Sequence, residues 1–569
     1  MGSIIWNIVD KSEKVVNKLM SDKNVPYPIA LSLANRGINL ETYEFFVSSR
    51  LTSLSDPFRL PGMEKSVKRM WEAVRKQEPI LIYGDYDTDG ITATAVVHKV
   101  LSECGANVSS FLPHRFDDGY GFTVESLEKA LTLNDIALII TVDCGVTGFD
   151  PVKFASERGV DVIITDHHEP NGALPDALAV INPKLYPETE DLSILAGVGV
   201  AFKLCHAFIK YGRTNRLGGE MIDLKTVLDL VALGTVADIV PLLGENRILV
   251  SHGLKVLGTQ VRPGVRALCE ISNIDSQIFP SHISFNLAPK INAAGRFGSP
   301  DEAFELLNSD NIVEAYNIAD TLISYNNLRK ETENKIYNNA VKQLEDRKDK
   351  LKNAVLVAGE NWHLGVVGIV ASKLARDFNQ PAIVLSIDGD TASGSGRSIG
   401  GVNLIDILAP ASDLLLQYGG HQMAAGLSLK TDNIPEFFKR FDQLIADMGI
   451  KPYLPTIDID GDVLFSELDE NFFSHLKRLE PFGCGNSEPI YRFKKLNIDY
   501  IASLADKHTR GTLRDSNGDT MNFIAFNHRL QDWPNSGYVD VVGTPKINMF
   551  RGYRTFQIQI KDLKVSEIV

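Results

Sequence analysis

Three short apolar runs in this chain lead directly into acidic or imidazole side chains. "PILIYG" precedes "DYDTDG", "ALIITV" precedes Asp143, and "DVIIT" precedes Asp166, His167 and His168. Helical patterns follow, as in "ITATAVVHKVLSECG", whose last glycine suits a helix C-terminal cap. Strand followed by helix, repeated along the chain, predicts a parallel sheet that helices cover on both faces. We therefore expect an α/β domain between about residues 79 and 242.

The acidic segments of this domain are expected to meet at one edge of the sheet. Ligands of open parallel sheets bind outside the carboxyl ends of the strands. Mixed carboxylate and imidazole ligands suit Mn²⁺, whereas oxygen-rich sets suit Mg²⁺. Aspartates shared between two ions about 3.5–4 Å apart are typical of two-metal phosphoryl chemistry. The side chains that these segments bring to the edge are Asp85, Asp87, Asp89, Asp143, Asp166, His167, His168 and, in "GTVADIVPL", Asp238.

Each segment also has a simpler interpretation when it is taken alone. "DYDTDG" is equally typical of a turn or a calcium-like loop. Adjacent histidines such as His167 and His168 are more often structural or solvent-facing, and a single Asp143 or Asp238 would mean little. Their joint occurrence at successive strand ends favours a metal site.

Composition limits the classes of function. The 569 residues suffice for several domains. The sequence contains no run of about 18 apolar residues, so it predicts no membrane span. The N-terminus lacks a secretory layout and the five cysteines are scattered, so we expect a soluble protein of a reducing, cytoplasmic compartment. The net charge of −14 makes tight nonspecific DNA binding less expected, but does not exclude DNA as a substrate of a local site.

Changes of pattern along the chain predict five segments. Residues 301–350 show helical spacing between many charges, which indicates an exposed connecting helix. Near the C-terminus, short strands alternate with turns such as Asn517-Gly518, which predicts a small barrel or sandwich. The predicted segments are helical 1–75, α/β 76–300, the helix 301–350, a smaller α/β domain 351–450 and a β domain 451–569.

The motifs in this order resemble the DHH phosphoesterase superfamily. "GDYDTDG", "VDCG", "DHH" and "ADIVPL" resemble its four catalytic motifs, and "GSGRSIGGVNL" and "YGGHQMAAG" resemble its companion DHHA1 domain. "EPFGCGNSEP" is similar to a motif of the RecJ branch, except for Ser487 where proline is usual. The resemblance implies a 5′→3′ exonuclease that releases 5′-mononucleotides from single-stranded DNA in repair and recombination. It also implies that residues 451–569 form an OB-like nucleic-acid-binding barrel.

The same resemblance implies two ions, Mn²⁺ or Mg²⁺, and a role for each acidic residue. His168 would lie beside the scissile phosphate as a hydrogen-bond donor. The implied ligands are Asp87 and Asp143 for one ion, with Asp85 as a supplement, and Asp89, Asp143, His167 and Asp238 for the other.

A separate set of residues is expected to hold the substrate. In "SGSGRS", glycines permit a nest of backbone N–H groups and Arg397 offers a bidentate phosphate contact, although a surface turn is the simpler interpretation. The resemblance implies that Arg115, Ser395 and Arg397 form a pocket for the 5′-terminal phosphate. Such a pocket would set a distance of one nucleotide between the 5′ end of the DNA strand and the metal ions.

Further substrate contacts are less specific. Arg296 in "KINAAGRFGSP" and His421 in "GGHQMAAG" lie beside small residues that allow a nucleic-acid strand to approach, although tight packing also explains those small residues. In "NMFRGYRTF", aromatic residues alternate with Arg551 and Arg554, a pattern that suits base stacking together with phosphate contacts.

Two other functions remain open at this stage. One is a DHH phosphodiesterase for oligonucleotides or cyclic dinucleotides, but Tyr83 stands where that branch carries a histidine ligand. The other is a catalytically inactive single-strand-binding scaffold, which the intact aspartates disfavour. Family resemblance also implies single-stranded-DNA-binding protein and a RecQ-type helicase as partners, without indicating where they dock.

Overall fold

The computed structural model describes most of the chain. The described residues are 4–9, 13–115, 121–132, 135–170, 172–346, 352–449, 455–534, 537–550 and 553–566. No helix in these ranges combines the length and the hydrophobicity that crossing a bilayer requires.

The N-terminal segment packs against the far end of the chain. Its elements are β1 (Ile5–Ile8), α1 (Glu13–Lys23), α2 (Tyr27–Asn35) and α3 (Leu40–Ser48). β1 pairs in parallel with the strand Thr456–Ile459. Leu19 and Leu33 of α1 and α2 are fully buried in the same core cluster as Phe472 and Tyr491. The two ends of the chain therefore share one hydrophobic core.

The first α/β domain surrounds a five-stranded parallel sheet. Its elements are α4 (Met63–Lys76), β2 (Ile80–Tyr83), α5 (Thr88–Glu103), β3 (Val108–Phe111), α6 (Val124–Leu131), β4 (Leu138–Val142), α7 (Phe149–Ser156), β5 (Asp161–Thr165), β6 (Ala179–Ile181), α8 (Gly197–Thr214), α9 (Leu228–Ala237), α10 (Gly244–Thr259), α11 (Pro263–Ile271), α12 (Pro280–His282) and α13 (Ala288–Phe297). The strand order is β3-β2-β4-β5-β6, and every pairing is parallel. The expected parallel sheet is confirmed.

Burial explains why the strands of this sheet have uninterrupted apolar sequences. β2 and β4 are buried at every position, because helices cover both faces. α5 is buried on nearly all sides and is therefore rich in small and β-branched residues instead of showing a narrow apolar stripe. The carboxyl ends of β2, β4 and β5 lie side by side, which brings the acidic segments to one edge.

Two helices connect the α/β domains. They are α14 (Pro300–Asn308) and α15 (Ile312–Asp346). α15 has 35 residues, and its buried positions, such as Ala315, Leu322 and Ile336, recur along one face. The predicted long connecting helix is confirmed, although it begins at Ile312 after a separate shorter helix.

The second α/β domain is built on a mixed sheet. Its elements are β7 (Val355–Glu360), α16 (Leu364–Phe378), β8 (Ala382–Asp388), β9 (Thr391–Arg397), α17 (Leu404–Leu408), β10 (Leu415–Gly420), β11 (Ala424–Lys430) and α18 (Ile434–Asp447). The order is β10-β11-β9-β8-β7, with β7 and β8 parallel and the other pairs antiparallel. α16 begins at the edge that faces α13, which places this domain opposite the acidic segments.

The C-terminal domain is a closed barrel. Its elements are β12 (Thr456–Ile459), β13 (Gly461–Asp462), α19 (Glu470–Arg478), β14 (Tyr491–Leu504), β15 (His508–Arg514), β16 (Thr520–Ala525), β17 (Val539–Phe550) and β18 (Tyr553–Val565). β14 pairs with β15 on one side and with β17 on the other, which closes the five-stranded order β14-β15-β16-β18-β17. This topology is consistent with the expected OB-like barrel. The boundaries of the five predicted segments stay predictions, and the boundary residues 350, 351, 450 and 451 lie outside the described ranges.

Arg247 of α10 joins the first domain to both ends of the chain. Its guanidinium donates to the carbonyl oxygens of Phe46, Leu479, Arg478 and Glu480 at 2.8, 2.9, 2.9 and 2.7 Å. The side chain is 2% exposed, and burial lowers its pKa to about 10. A buried guanidinium requires this many acceptors, since an unsatisfied charge in the interior is costly.

We expect Arg247→Ala to destabilise the protein by about 3–5 kcal/mol and to lower its first melting temperature, because the change removes four hydrogen bonds of a buried guanidinium. Thermal denaturation followed by circular dichroism measures this change. Arg266→Ala on the neighbouring helix removes only an exposed ion pair with Glu270 and should leave the transition unchanged. Identical melting of the two variants would show that Arg247 does not join the domains.

Candidate active site

The turn between β2 and α5 carries three aspartates. The Asp87 side chain caps α5 by accepting the N–H groups of Asp89 and Gly90 at 2.8 and 3.1 Å. Asp85 accepts the Tyr86 N–H at 2.9 Å. A Cβ on Gly90 would lie 2.6 Å from the Asp85 carbonyl oxygen, so glycine is required here by close approach of the backbone.

Asp89 is held by the start of a second helix. Its Oδ2 accepts the Gly197 N–H at 2.7 Å and its Oδ1 accepts the Val198 N–H at 2.9 Å, both at the N-terminus of α8. Helix N-termini stabilise carboxylates because their N–H groups have no intrahelical partner. The sequence analysis assigned no role to Gly197 and so missed this contact.

Asp143 lies at the centre of the cluster. It follows β4 with a φ of 61°, a left-handed conformation that aspartate adopts more readily than most residues. Its N–H donates to the Thr165 carbonyl at 3.0 Å, which fixes the backbone across the ends of β4 and β5. Asp143 is 2% exposed, and its side chain points towards the other acidic groups.

His167 and Asp238 complete the cluster on the other side of Asp143. His167 Nε2 lies 3.1 Å from Asp143 Oδ1, 3.7 Å from Asp238 Oδ2 and 4.0 Å from Asp89 Oδ2. Three groups have potential ligand atoms within 4.8 Å of one another. They are Asp85 with Asp87 and Asp143, Asp89 with His167 and Asp238, and Asp143 with His167 and His168.

Two polar atoms at the centre of this cluster are in contact but do not form a hydrogen bond with each other. Among the described residues, Asp143 Oδ1 and His167 Nε2 are buried and make no hydrogen bond of acceptable geometry. Buried polar atoms are nearly always paired, so an orphaned oxygen and nitrogen in contact indicate a ligand position. Carboxylate and imidazole donors together suit Mn²⁺ or Mg²⁺.

The electrostatics of the carboxylates lead to the same conclusion. Burial, followed by the charge of Asp87, raises the pKa of Asp85 to about 7 and that of Asp238 to about 7. Burial and neighbouring aspartates also raise the pKa values of Asp89 and Asp143 well above their ordinary range. Each group resists ionisation because the others are close by, and a divalent cation would reverse this repulsion.

Asp166 fixes the two histidines. Its Oδ1 accepts the N–H groups of His167 and His168 at 2.7 and 3.0 Å and contacts His168 Nδ1 at 2.8 Å, and its Oδ2 accepts the Val146 N–H at 2.9 Å. Although burial opposes both charges, this contact lowers the pKa of Asp166 and raises that of His168 to about 9. His168 is therefore a proton-bearing donor in the metal-free cluster. Burial lowers the pKa of His167 to about 4, which leaves its imidazole neutral and able to accept a metal ion.

Two residues with clear structural roles were absent from the predicted site. Asp166 was noted only as a strand-end acid, although the sequence "DHH" itself could have pointed to it. Asn292 of α13 accepts the Thr88 N–H and hydroxyl at 2.8 and 2.8 Å, which holds the start of α5. No local signal marks Asn292, because its partner lies 204 residues away in sequence.

The predicted phosphate-binding arginines lie together opposite the acidic cluster. Arg397 Nη1 donates to Ser395 Oγ at 2.6 Å and to the Gly396 carbonyl at 2.8 Å. Burial and the nearby charge of Arg115 lower the pKa of Arg397 and bring that of Arg296 to about 10. Several cations that depress one another's pKa form a site that favours an anion.

Other predicted residues have different surroundings. Arg296 Nη1 donates to the Gly365 carbonyl at 2.5 Å, so it also links α13 to α16. His421 lies on the exposed turn between β10 and β11. Arg551 lies outside the described residues, whereas Arg554 contacts Glu470 at 2.6 Å on the barrel surface. The Tyr83 hydroxyl contacts Ser126 Oγ at 2.6 Å in the core, away from the aspartates.

Comparison with known proteins agrees with this architecture. Family models match the DHH family N-terminal domain at residues 79–235, the DHHA1 domain at 349–447 and the RecJ OB domain at 459–562. The single-stranded-DNA-specific exonuclease RecJ of Bacillus subtilis is 36% identical over 99% of this chain and 71% of its own length. The chain belongs to the RecJ family. RecJ of Escherichia coli is 37% identical over 89% of this chain and 90% of its own.

Solved RecJ structures share the whole fold. RecJ of Thermus thermophilus in complex with Mn²⁺ matches with a TM-score of 0.84 and 28% identity, over 100% of this chain and 80% of that one. An exonuclease RecJ bound to manganese matches with a TM-score of 0.60 and 33% identity, over 70% of this chain and 96% of that one. The expected DHH, DHHA1 and OB-like architecture is thereby confirmed.

We expect Asp85→Asn to stabilise the metal-free protein in EDTA. The pKa of Asp85 in the folded state lies above its ordinary value, so ionisation costs stability progressively between about pH 4 and pH 7, and the cost is constant above that. At pH 8 the variant should gain up to about 4 kcal/mol, and at pH 4 almost nothing. Thermal denaturation at both pH values, with the exposed Asp176→Asn as control, measures the difference. An unstabilised variant at pH 8 would contradict repulsion within the cluster.

Proposed function

We propose that this chain is a single-stranded-DNA-specific exonuclease that hydrolyses phosphodiester bonds in the 5′→3′ direction and releases 5′-mononucleotides during DNA repair and recombination. The observation that carries this proposal is the cluster of three groups of potential ligands, two of which include Asp143, whose orphaned Oδ1 faces His167 Nε2. Membership of the RecJ family supports the substrate class.

Two divalent cations, Mn²⁺ or Mg²⁺, are the proposed cofactors. Asp87 and Asp143, with Asp85 in support, would hold one ion. Asp89, Asp143, His167 and Asp238 would hold the other, so that Asp143 is shared. Once bound, the ions would stabilise charge on the phosphoryl oxygens and activate a water nucleophile.

The protein's own groups supply the remaining contributions. His168 keeps its ring oriented through Nδ1 and Asp166, which leaves Nε2–H free to donate to a nonbridging phosphate oxygen. The helix N-termini at Asp87 and Asp89 hold the ligand carboxylates in place before substrate arrives, so little reorganisation is needed. No nucleophilic side chain is required.

We propose that the pocket formed by Arg115, Ser395 and Arg397 determines the 5′→3′ direction of cleavage. Arg115, Ser395 and Arg397 would bind the 5′-terminal phosphate, while Arg296 braces the same face of the second domain. A terminal phosphate held there places the next phosphodiester towards the acidic cluster. His421 and the barrel would contact nucleotides farther along the strand.

Asp143→Asn should abolish metal-dependent cleavage while keeping the fold, because asparagine also tolerates a left-handed backbone. Loss of a shared ligand should cost more than the roughly 10–100-fold that outer-shell changes cause. The assay uses a 3′-labelled single-stranded oligonucleotide with Mn²⁺ or with EDTA. The wild type should shorten it from the 5′ end. Activity on dinucleotides alone would favour the small-phosphodiesterase alternative, and binding without cleavage would favour an inactive scaffold.

Arg397→Ala should remove the preference for a 5′-phosphate over a 5′-hydroxyl. Losing a bidentate phosphate contact should slow cleavage of the phosphorylated strand by about 10–100-fold and affect the hydroxyl strand much less. The control is Arg376→Ala, an exposed arginine of the same domain. Equal slowing of both substrates by Arg397→Ala would mean that this pocket does not bind the terminal phosphate.

The cellular setting is proposed on family grounds. We infer a cytoplasmic enzyme that works with single-stranded-DNA-binding protein and a RecQ-type helicase. A pull-down of each purified partner with this chain tests the association, and absence of binding to both would remove this part of the proposal.

A further inference from the structure

The segment that carries Asp238 is conformationally strained. Asp238 ends α9, and the next residue, Ile239, has a φ of 61° although its side chain is 70% exposed. A β-branched residue rarely adopts the left-handed region, because its Cβ branches crowd the backbone. Exposure means that core packing of the side chain does not compensate. Such a conformation persists only where the surrounding structure imposes it.

The C-terminal domain contacts the residues after this turn through residues 479–487, here called the docking loop. The Leu242 N–H donates to the Cys484 carbonyl at 2.8 Å. A Cβ on Gly485 would lie 2.9 Å from Pro241 Cβ, and one on Gly483 would lie 2.6 Å from Leu242 Cδ1. The backbone of the docking loop therefore lies directly against the residues that follow the strained turn.

The docking loop is itself firmly held. Asn486 is fully buried, and its Nδ2 donates to the carbonyls of Leu479 and Pro481, each at 2.8 Å. Its Oδ1 accepts Arg36 Nε at 3.1 Å, and Arg36 Nη2 donates to the Ser487 carbonyl at 2.5 Å. A loop with saturated internal hydrogen bonds can act as a rigid support.

A buried amide connects the same turn to another proposed ligand. Asn246 Nδ2 donates to the Pro241 carbonyl at 3.0 Å and to the Ile194 carbonyl at 2.6 Å. The chain then continues from Ile194 to Gly197, whose N–H binds Asp89. The supports of Asp238 and Asp89 thus meet at Asn246, beside the docking loop.

We propose that the docking loop is a positioning element of the metal centre. It holds the strained Ile239 turn so that the Asp238 carboxylate faces His167 and Asp89. The C-terminal domain would then act on the metal centre as well as on DNA. This inference rests on the proposed function only in taking Asp238 as a metal ligand.

The test compares two glycines of the C-terminal domain that both have positive φ. Gly485 (φ 68°) touches Pro241, whereas Gly518 (φ 88°) has nothing within 4 Å of an added Cβ. Gly485→Ala should weaken Mn²⁺ binding about tenfold, as loss of outer-shell support does, and Gly518→Ala should not. Electron paramagnetic resonance of free Mn²⁺, without DNA, measures binding directly. DNA affinity in EDTA should be the same for both variants and the wild type.

A strain-relieving substitution makes the test specific. Asparagine tolerates the left-handed region, so Ile239→Asn added to Gly485→Ala should recover part of the lost Mn²⁺ affinity. A merely destabilised domain would not respond to this change. If Gly485→Ala does not fold, Gly483→Ala serves instead, because its added Cβ meets the Leu242 side chain and no backbone atom.

The outcomes separate the two proposals. Wild-type Mn²⁺ binding by folded Gly485→Ala, or equal losses in both glycine variants, would overturn the role of the docking loop. A wild-type protein that binds Mn²⁺ but does not cut single-stranded DNA would overturn the proposed function and leave that role intact.

Discussion

Mutual repulsion among buried carboxylates is the constraint on which the first domain depends. Asp85, Asp89 and Asp143 are each less than 5% exposed, and burial followed by the charges of neighbouring aspartates raises their pKa values. The fold offsets this cost with backbone N–H groups at the starts of α5 and α8. Those N–H groups compensate only partly, so the cluster remains suited to multivalent cations.

Close backbone approach is the second consequence of this crowding. A Cβ on Gly197 would lie 2.3 Å from Asp143 Oδ1, and one on Gly234 would lie 2.7 Å from Asp89 Oδ1. Two helices therefore reach the carboxylates only because each presents a glycine to them. The acidic cluster therefore requires the glycines in "AGVGVAF" and "VALGTVAD" as much as the aspartates, although these glycines have no side chain that could bind an ion.

Local pattern was sufficient to predict the sheet and the acidic cluster. The strands are short, fully buried and followed by helices, and their carboxyl ends must converge in a parallel sheet, so Asp87, Asp143 and His167 could be brought together from sequence. The roles of Asn292 and Gly197 could not be predicted in this way. Their partners lie 204 and 108 residues away, and nothing in the local sequence around either residue specifies that distance.

The same limitation applies to the chain ends. Residues 1–75 were expected to form an N-terminal helical segment, yet α1, α2 and α3 complete the hydrophobic core of the C-terminal domain, while α4 packs in the first α/β domain. Amphipathic helices reveal that they have a buried face, but not which surface covers it. Arg36, which follows α2, and Arg247 of the first α/β domain both donate hydrogen bonds to the docking loop. The N-terminal segment therefore contacts the loop that we propose positions Asp238. On this proposal, the position of Asp238 depends on contacts between parts of the chain more than 400 residues apart, which local sequence patterns do not encode.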